Sequence, residues 1–262
     1  MSVHNMLRVT LLKRLESSQY ALRKSLENYQ EKLYYFSSKL DEGYIIKFKD
    51  IQAIQSLFGD DLELVADHNV NAEQDDQIDI TPADAEKYNV QALKEDIQKD
   101  QQLLSVLIEV CRALEDNDDK LNSFSELLTK IVSQQKAGKK VLVFSYYADT
   151  IKYLSEKLPS LMSTPDFGQK SAFLTGETKS QAEEIVNRFS PKSKTGKELA
   201  EDQQIDYLFA TDVLSEGQNL QDCGTLINFD LHWNPVRMIQ RNGRINRLGS
   251  EHPNVYIYNM HP

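Results

Sequence analysis

The second half of this 262-residue chain predicts an α/β fold, a mostly parallel sheet flanked by helices, with a helical extension before it. Three observations carry that reading. Short apolar runs rich in β-branched and aromatic residues recur as VLVFS (141–145), SAFLT (171–175), IDYLFAT (205–211), TLINFD (225–230) and NVYIYNM (254–260), the composition of buried parallel strands. Helical stretches at 148–158, 179–189 and 235–246 separate most of these runs, and strands alternating with helices imply parallel pairing through right-handed crossovers. Before residue 139 the apolar spacing is helical instead.

Taken in order, residues 3–40 place Leu7, Leu11, Leu15, Leu22, Leu26, Leu33, Phe36 and Leu40 at helical spacing with charges between them, which predicts one or two amphipathic helices. Residues 44–66 are weakly patterned, with a short helix expected near 50–58. Residues 67–80 (DHNVNAEQDDQIDI) are acidic and poor in large apolar groups, the composition of a mobile loop. Thr81-Pro82 has the form of a helix cap followed by a first-turn proline. Helices are expected over 90–115 and 119–137, the latter ending at Gly138. This divides the chain into a helical extension, 1–138, and an α/β domain, 139–262.

Composition narrows the function. The net charge is −10, which argues against indiscriminate nucleic-acid binding. The acid lies in the first half: 16 Lys and Arg stand against 25 Asp and Glu in 1–138, and 14 against 15 afterwards. All four basic residues after Lys197 are arginines, between 237 and 247. A local cationic patch can bind phosphate on an acidic protein, because screening limits distant charge to roughly 8–10 Å. No apolar run reaches membrane-spanning length and no secretory leader is evident. Cys111 and Cys223 lie far apart, the pattern of two buried free thiols, so a cytoplasmic location without membrane contact is expected.

Functional residues in parallel sheets gather at the carboxyl ends of strands, where Ser145-Tyr146, Thr175-Gly176, Thr211-Asp212 and Asp230 all fall. The Thr211 hydroxyl and nearby backbone N–H groups can hold phosphate; Gly217 permits close approach, and Asn219 or Asp212 can bond a hydroxyl-rich ligand. An ordinary strand exit with a helix cap accounts for the same residues. In Asp230-Leu-His-Trp-Asn-Pro235, Asn234 and Pro235 suit a helix start, and the single tryptophan, Trp233, either stacks on a partner or anchors the loop. In QRNGRINR (240–247), Arg241, Arg244 and Arg247 recur every third residue and share one face at helical pitch. Uncompensated, they call for a polyanion, since the guanidinium fork matches phosphate and stabilises a transferring phosphoryl group. A solvated basic helix face is the alternative.

Several motifs are absent or incomplete. Asp41-Glu42-Gly43-Tyr44 lacks the apolar strand an acidic metal-binding box requires. Gly138-Lys139-Lys140 and Gly196-Lys197-Glu198 lack the spacing of a phosphate-binding loop, so no Walker A loop is present. The five histidines form no metal-ligand spacing, and no site metal is expected.

In order, VLVFSYYADT (141–150), FLTG (173–176), LFATDVLSEGQNLQ (208–221), FDLHWNP (229–235) and QRNGRINRLGS (240–250) resemble the C-terminal, second RecA-like lobe of superfamily 2 helicases, and most closely its bacterial Swi/Snf-like branch, which includes RapA-type ATPases. LLKRLESS (11–18) resembles the segment preceding that lobe. Thr211–Gly217 and Gly249-Ser250 depart from the eukaryotic Swi/Snf pattern. The resemblance implies a RecA-like sheet and an ATP site in the cleft between two lobes. The first lobe would supply the Walker A loop and the acidic box for magnesium. Arg244 and Arg247 would be arginine fingers facing the γ-phosphate. Gln240 and Arg241 would support the nucleotide or the interlobe contact, with Gly217 and Asn219 near the ribose. Ser145, Tyr146, Thr175, Gly176 and Thr211 would meet a nucleic-acid backbone.

The expected function is therefore one lobe of an ATP-dependent translocase or helicase acting on nucleic acid, with double-stranded DNA implied by the family. Its expected partner is the first lobe of the same protein, and without that lobe the chain is expected to be inactive. A nucleic-acid- or partner-binding module lacking the first lobe is the alternative. An unrelated nucleotide-binding α/β enzyme is disfavoured by the absence of a Gly-rich loop after the first strand.

Overall fold

The computed structural model describes residues 3–48, 78–84, 87–164, 166–215, 218–247 and 250–262. The chain divides into two units, 1–117 and 118–262. In the first unit, α1 (Val3–Ser17) and α2 (Gln19–Asp41) are broken at Ser18, whose extended backbone and side-chain oxygen, accepting from the Ala21 N–H at 3.0 Å, start a new helix. The heptad-like leucines of 3–40 thus form two helices. Strands β1 (Tyr44–Phe48) and β2 (Ile78–Pro82) pair antiparallel. Helix α3 (Val90–Glu115) packs on α2 through Leu26, Leu104, Ile108 and Cys111. Arg23 reinforces that seam with a two-pronged bond to Glu115, at 2.5 and 3.0 Å.

The expectation at Thr81-Pro82 is overturned. Ile78–Pro82 alternates apolar and polar side chains and pairs with Tyr44–Phe48, so Pro82 ends a strand, where its missing N–H is tolerated. The helix starts instead at Asn89, whose side chain accepts from the Ala92 N–H at 3.1 Å. Residues 78–80 of the expected acidic loop belong to β2; the remainder of that loop, and the helix expected near 50–58, lie outside the described residues. Asp41-Glu42-Gly43 is a helix end with Gly43 at φ 85°.

In the second unit, α4 (Asp119–Gln134) ends before Gly138, because Gln135 takes the left-handed conformation at φ 43° and bonds the Ile131 carbonyl. Phe124 of α4 meets the rings of Phe209 and Phe229 edge-on. This is why the helix falls with the sheet rather than with the helical extension to which its sequence position assigned it. Strands β3 (Val141–Phe144), β4 (Ser171–Leu174), β5 (Tyr207–Ala210), β6 (Thr225–Asn228) and β7 (Tyr256–Asn259) form one parallel sheet in the order β4-β5-β3-β6-β7. Alternate residues Leu142, Phe144, Leu174, Leu208, Ala210 and Leu226 build a core with Val186 and Phe189 of α6 (Ala182–Phe189). On the other face Phe173 stacks on Phe209 at 4.7 Å. Helix α5 (Ala148–Leu161) follows β3, and the short α7 (Pro191–Thr195) follows α6. Helix α8 (Pro235–Asn242) ends earlier than the sequence pattern implied, with Gly243 at its C-cap.

Both cysteines are buried free thiols, and burial pushes the Cys223 thiol up to about 12. Among the described residues no helix is long and apolar enough to cross a membrane.

Gly224 precedes β6 where a Cβ would stand 2.5 Å from the Ala137 Cβ and 2.9 Å from its carbonyl oxygen. Gly224→Ala is expected to lose about 1–3 kcal/mol through overpacking. At roughly 2–4 °C per kcal/mol for a chain of this size, thermal melting reads the loss directly. An unchanged melting temperature would mean that the turn around Ala137 yields without cost.

Candidate phosphate- and nucleic-acid-facing site

The parallel register brings the strand exits of β3, β5 and β6 side by side. Backbone bonds continue past the strands: Ser145 N donates to Ala210 O (3.1 Å), Phe229 N to Phe144 O (2.8 Å) and Thr211 N to Leu174 O (3.0 Å). Four loops, beginning at residues 145, 175, 211 and 229, therefore meet along one sheet edge. Asp230 closes the β3 exit: one oxygen accepts from Ser145 Oγ at 2.5 Å and the other from the Tyr146 N–H at 2.7 Å. Ser145 is fully buried and Thr211 nearly so, whereas Tyr146 and Thr175 are half-buried and Gly176 is exposed. Thr175 N donates to Thr178 Oγ1 at 2.9 Å, which shapes the β4 exit.

Helix α8 begins as its sequence suggests. Asn234 accepts from the Val236 N–H at 2.9 Å, and Pro235 occupies the first turn. The Asn234 N–H in turn donates to His232 Nδ1 at 2.8 Å, and the His232 ring lies edge-on to Tyr146 at 4.8 Å. Trp233 is 64% exposed, which excludes the core-anchor reading, and Val236 and Ile239 beside it are also exposed.

The three arginines do not share one solvent-facing stripe, because α8 ends at Asn242 and the chain turns. Arg241 lies on the inward face, three residues after half-buried Met238 and four before buried Ile245. It is 0% exposed and bonds both oxygens of Asp212, from Nε at 2.6 Å and Nη2 at 2.7 Å. Its third nitrogen donates to the Asp230 carbonyl at 3.2 Å and to Asn228 Oδ1 at 3.5 Å, and the guanidinium sits 5.4 Å from the Phe144 ring centroid. This corrects two expectations: Arg241 is compensated, and Asp212 has both oxygens committed to it rather than turned to a ligand.

Arg244 is buried and donates to the Gln218 carbonyl at 3.5 Å, while its own carbonyl accepts from the Leu220 N–H at 3.2 Å. Arg247 is exposed; Nε donates to the Gly243 carbonyl at 2.9 Å and Nη1 to the Asn219 side chain. Two sequence candidates from separate segments, Asn219 and Arg247, thus touch. Gln240 is exposed on α8, and Gly217 lies outside the described residues. Sequence reasoning marked Asp230 only as a strand-end residue and assigned Asp212 to a ligand rather than to Arg241. The signal for Arg241 was its place among Met238 and Ile245 at inward helical spacing, since a buried guanidinium requires an acidic partner.

Burial holds the His232 imidazole below its ordinary value of 6.5, opposed by Asp212 and aided by Arg241 and Arg237. The folded protein keeps the ring neutral where the unfolded chain begins to take up a proton. Its contribution to stability is complete above about pH 6.5 and is lost as pH falls below it. The melting advantage of wild type over His232→Gln is therefore expected to shrink between about pH 7.5 and about pH 5.5. An advantage that grows on acidification would show that the ring is charged when folded.

A family described as Helicase conserved C-terminal domain matches residues 119–249. The chain is 33% identical over 165 residues to the "Uncharacterized ATP-dependent helicase YqhH" of Bacillus subtilis (strain 168), covering 62% of this chain and 26% of that one. It is 30% identical over 147 residues to the "DNA repair and recombination protein RAD54B" of Mus musculus, covering 56% and 15%. The solved C-terminal part of the Fun30 ATPase domain aligns with a TM-score of 0.43 and 24% identity, over 68% of this chain and 55% of that one. The chain spans about a quarter of the length of the Bacillus relative and less of the mouse one. With its parallel five-stranded sheet and this family match across half its length, the chain belongs to the helicase conserved C-terminal domain family.

Proposed function

We propose that this chain is the second lobe of an ATP-dependent nucleic-acid translocase or helicase of the bacterial Swi/Snf-like branch, with double-stranded DNA as its track. The observation that carries the reading is the seating of Arg244 and Arg247 against the turn after β5, on Gln218 and Asn219. Two guanidinium groups held at the carboxyl edge of a parallel sheet suit a phosphate arriving from across a cleft. The Bacillus relative is named as an ATP-dependent helicase and the mouse relative as a DNA repair and recombination protein, which supports ATP and DNA as the ligands here.

The residues present fit one side of a nucleotide. Exposed Arg247 and Gln240 meet solvent where a phosphate chain can reach them, and half-buried Asn219 stands beside Arg247. Magnesium is a different matter: among the described residues no group of three or more His, Cys, Asp or Glu could hold a metal ion. We assign the magnesium and the rest of the ATP contacts to a first lobe. Bound ATP supplies the phosphoryl group that is cleaved. This chain's guanidinium groups stabilise the charge that spreads over it.

The nucleic-acid contacts fall to Tyr146, Thr175 and Gly176, which reach the surface. Ser145 and Thr211 stand behind them as supports, since their side chains are buried. Such contacts touch backbone rather than base edges, so binding is independent of sequence. Closing of the lobes around ATP and their opening after hydrolysis moves this edge along the strand.

Arg247 is exposed and Arg244 is buried, so Arg247→Ala spares packing and is the cleaner test. In the intact two-lobe protein, DNA-stimulated ATP hydrolysis is expected to fall on the order of 10³-fold or more for Arg247→Ala and for Arg244→Ala. The melting temperature of Arg247→Ala stays at the wild-type value. The 262-residue chain alone turns over no ATP. Near-normal turnover in both variants would mean that residues 240–247 are structural or nucleic-acid-facing and supply no arginine finger.

A further inference from the structure

We propose that Arg241 is a positioning residue that couples the nucleic-acid-facing loop to the arginine fingers, through Asp230 on one side and Asp212 on the other. This inference rests on the reading of the lobe given above. Its physical basis is a continuous chain of short buried bonds. The Tyr146 N–H and Ser145 hydroxyl hold the Asp230 carboxylate at 2.7 and 2.5 Å. The carbonyl of that same Asp230 accepts from Arg241 at 3.2 Å, and an Asp230 oxygen lies 3.9 Å from the guanidinium. Arg241 then grips both oxygens of Asp212, at 2.6 and 2.7 Å.

Asp212 opens the turn, residues 212–215, that leads to Gln218 and Asn219, and these two residues hold Arg244 and Arg247. Arg241 also connects directly, because its carbonyl accepts from the Arg244 N–H at 3.0 Å. These two hydrogen-bonded routes from the Tyr146 loop to the fingers both pass through Arg241.

A methionine or leucine could fill this space and hold α8 on the sheet without taking a charge out of water. A bidentate ion pair supplies what an apolar contact cannot, a fixed rotation of the helix about its axis. Turning α8 breaks two bonds at once. A displacement of the Tyr146 loop by a bound backbone moves Asp230 and with it the guanidinium, so the fingers are aligned when nucleic acid is engaged. The arrangement also separates Arg241 from the nucleotide: at 0% exposure, with Asp212 covering its Nε and Nη2, it touches no solvent-borne ligand.

The test uses the intact two-lobe protein, duplex DNA as activator, and three variants. Arg241→Lys keeps the charge and loses the fork. The paired variant Asp212→Asn/Arg241→Met removes both charges, so that no unpaired ion is left buried. Ser145→Ala cuts the link to Asp230 at the far end. The paired variant is expected to melt near wild type while DNA-stimulated kcat falls about 10²-fold, the scale of a small misalignment of catalytic groups. ATP KM and basal, DNA-free turnover change by less than about threefold.

Ser145→Ala is expected to lower stimulation in the same direction, and combining it with Arg241→Lys costs less than the product of the two single effects. Full stimulation in the paired variant would overturn the inference and leave Arg241 a structural ion pair. A raised ATP KM with unchanged kcat would overturn it in favour of a nucleotide contact. If the variants melt with wild type and the Ser145 and Arg241 effects multiply independently, the coupling is likewise refuted. Absence of any DNA stimulation in the wild-type protein would instead sink the lobe assignment itself. A dead Arg247→Ala beside a normal Arg241→Lys would sink only the coupling.

Discussion

The buried pair between Arg241 and Asp212 is the constraint on which the working edge of this lobe depends. Removing one partner of such a pair typically costs about 3–5 kcal/mol, because the other is left charged in the interior. Here the guanidinium is satisfied on every side: two carboxylate oxygens, a backbone carbonyl, a carboxamide oxygen and the face of Phe144. A side chain so committed cannot serve a ligand. It can, however, dictate where α8 sits and how the turn after β5 is shaped; Arg244 and Arg247 follow the first in sequence and Asn219 the second.

That pair can form only because the sheet beneath it brings its partners together. Parallel pairing of β3 with both β5 and β6 aligns Phe144, Ala210 and Asn228 in register. The residues just beyond them, Ser145, Thr211 and Phe229, continue the alignment through backbone bonds across strands. Asp212 and Asp230 thus approach the same point from opposite sides of β3, and α8 lays Arg241 between them. The two carboxylates have different tasks. Asp212 neutralises the guanidinium, and Asp230 ties down Ser145 and Tyr146 while offering Arg241 its carbonyl.

The N-terminal unit follows a different logic. Its helices bury leucines along the seam between α2 and α3 and fasten the rim with Arg23, Glu115, Glu27 and Arg112. These pairs are partly solvated, so their contribution to stability is modest and their value lies in register. The hairpin of β1 and β2 escaped the sequence reading because its two strands are separated by 29 residues. Pairing across such a distance leaves no local turn signal of the Asn-Gly kind.

The sequence by itself determined the alternation of strands and helices over 141–260, the gathering of candidate site residues at the strand exits, the cap at Asn234 and the presence of an arginine-rich segment. These are local properties, governed by the period of apolar residues and by backbone chemistry within a few positions. Only the tertiary structure decided that the three arginines part company. Spacing alone put Arg241, Arg244 and Arg247 on a common face. Helix α8 stops at Asn242, and an aspartate 29 residues upstream captures Arg241 in the interior, so one arginine is buried in an ion pair, one is buried against a backbone carbonyl and one is presented to solvent. Whether a guanidinium is compensated depends on what lies within about 4 Å of it in space. For a parallel sheet that neighbour comes from another crossover, at a distance along the chain that no local pattern records.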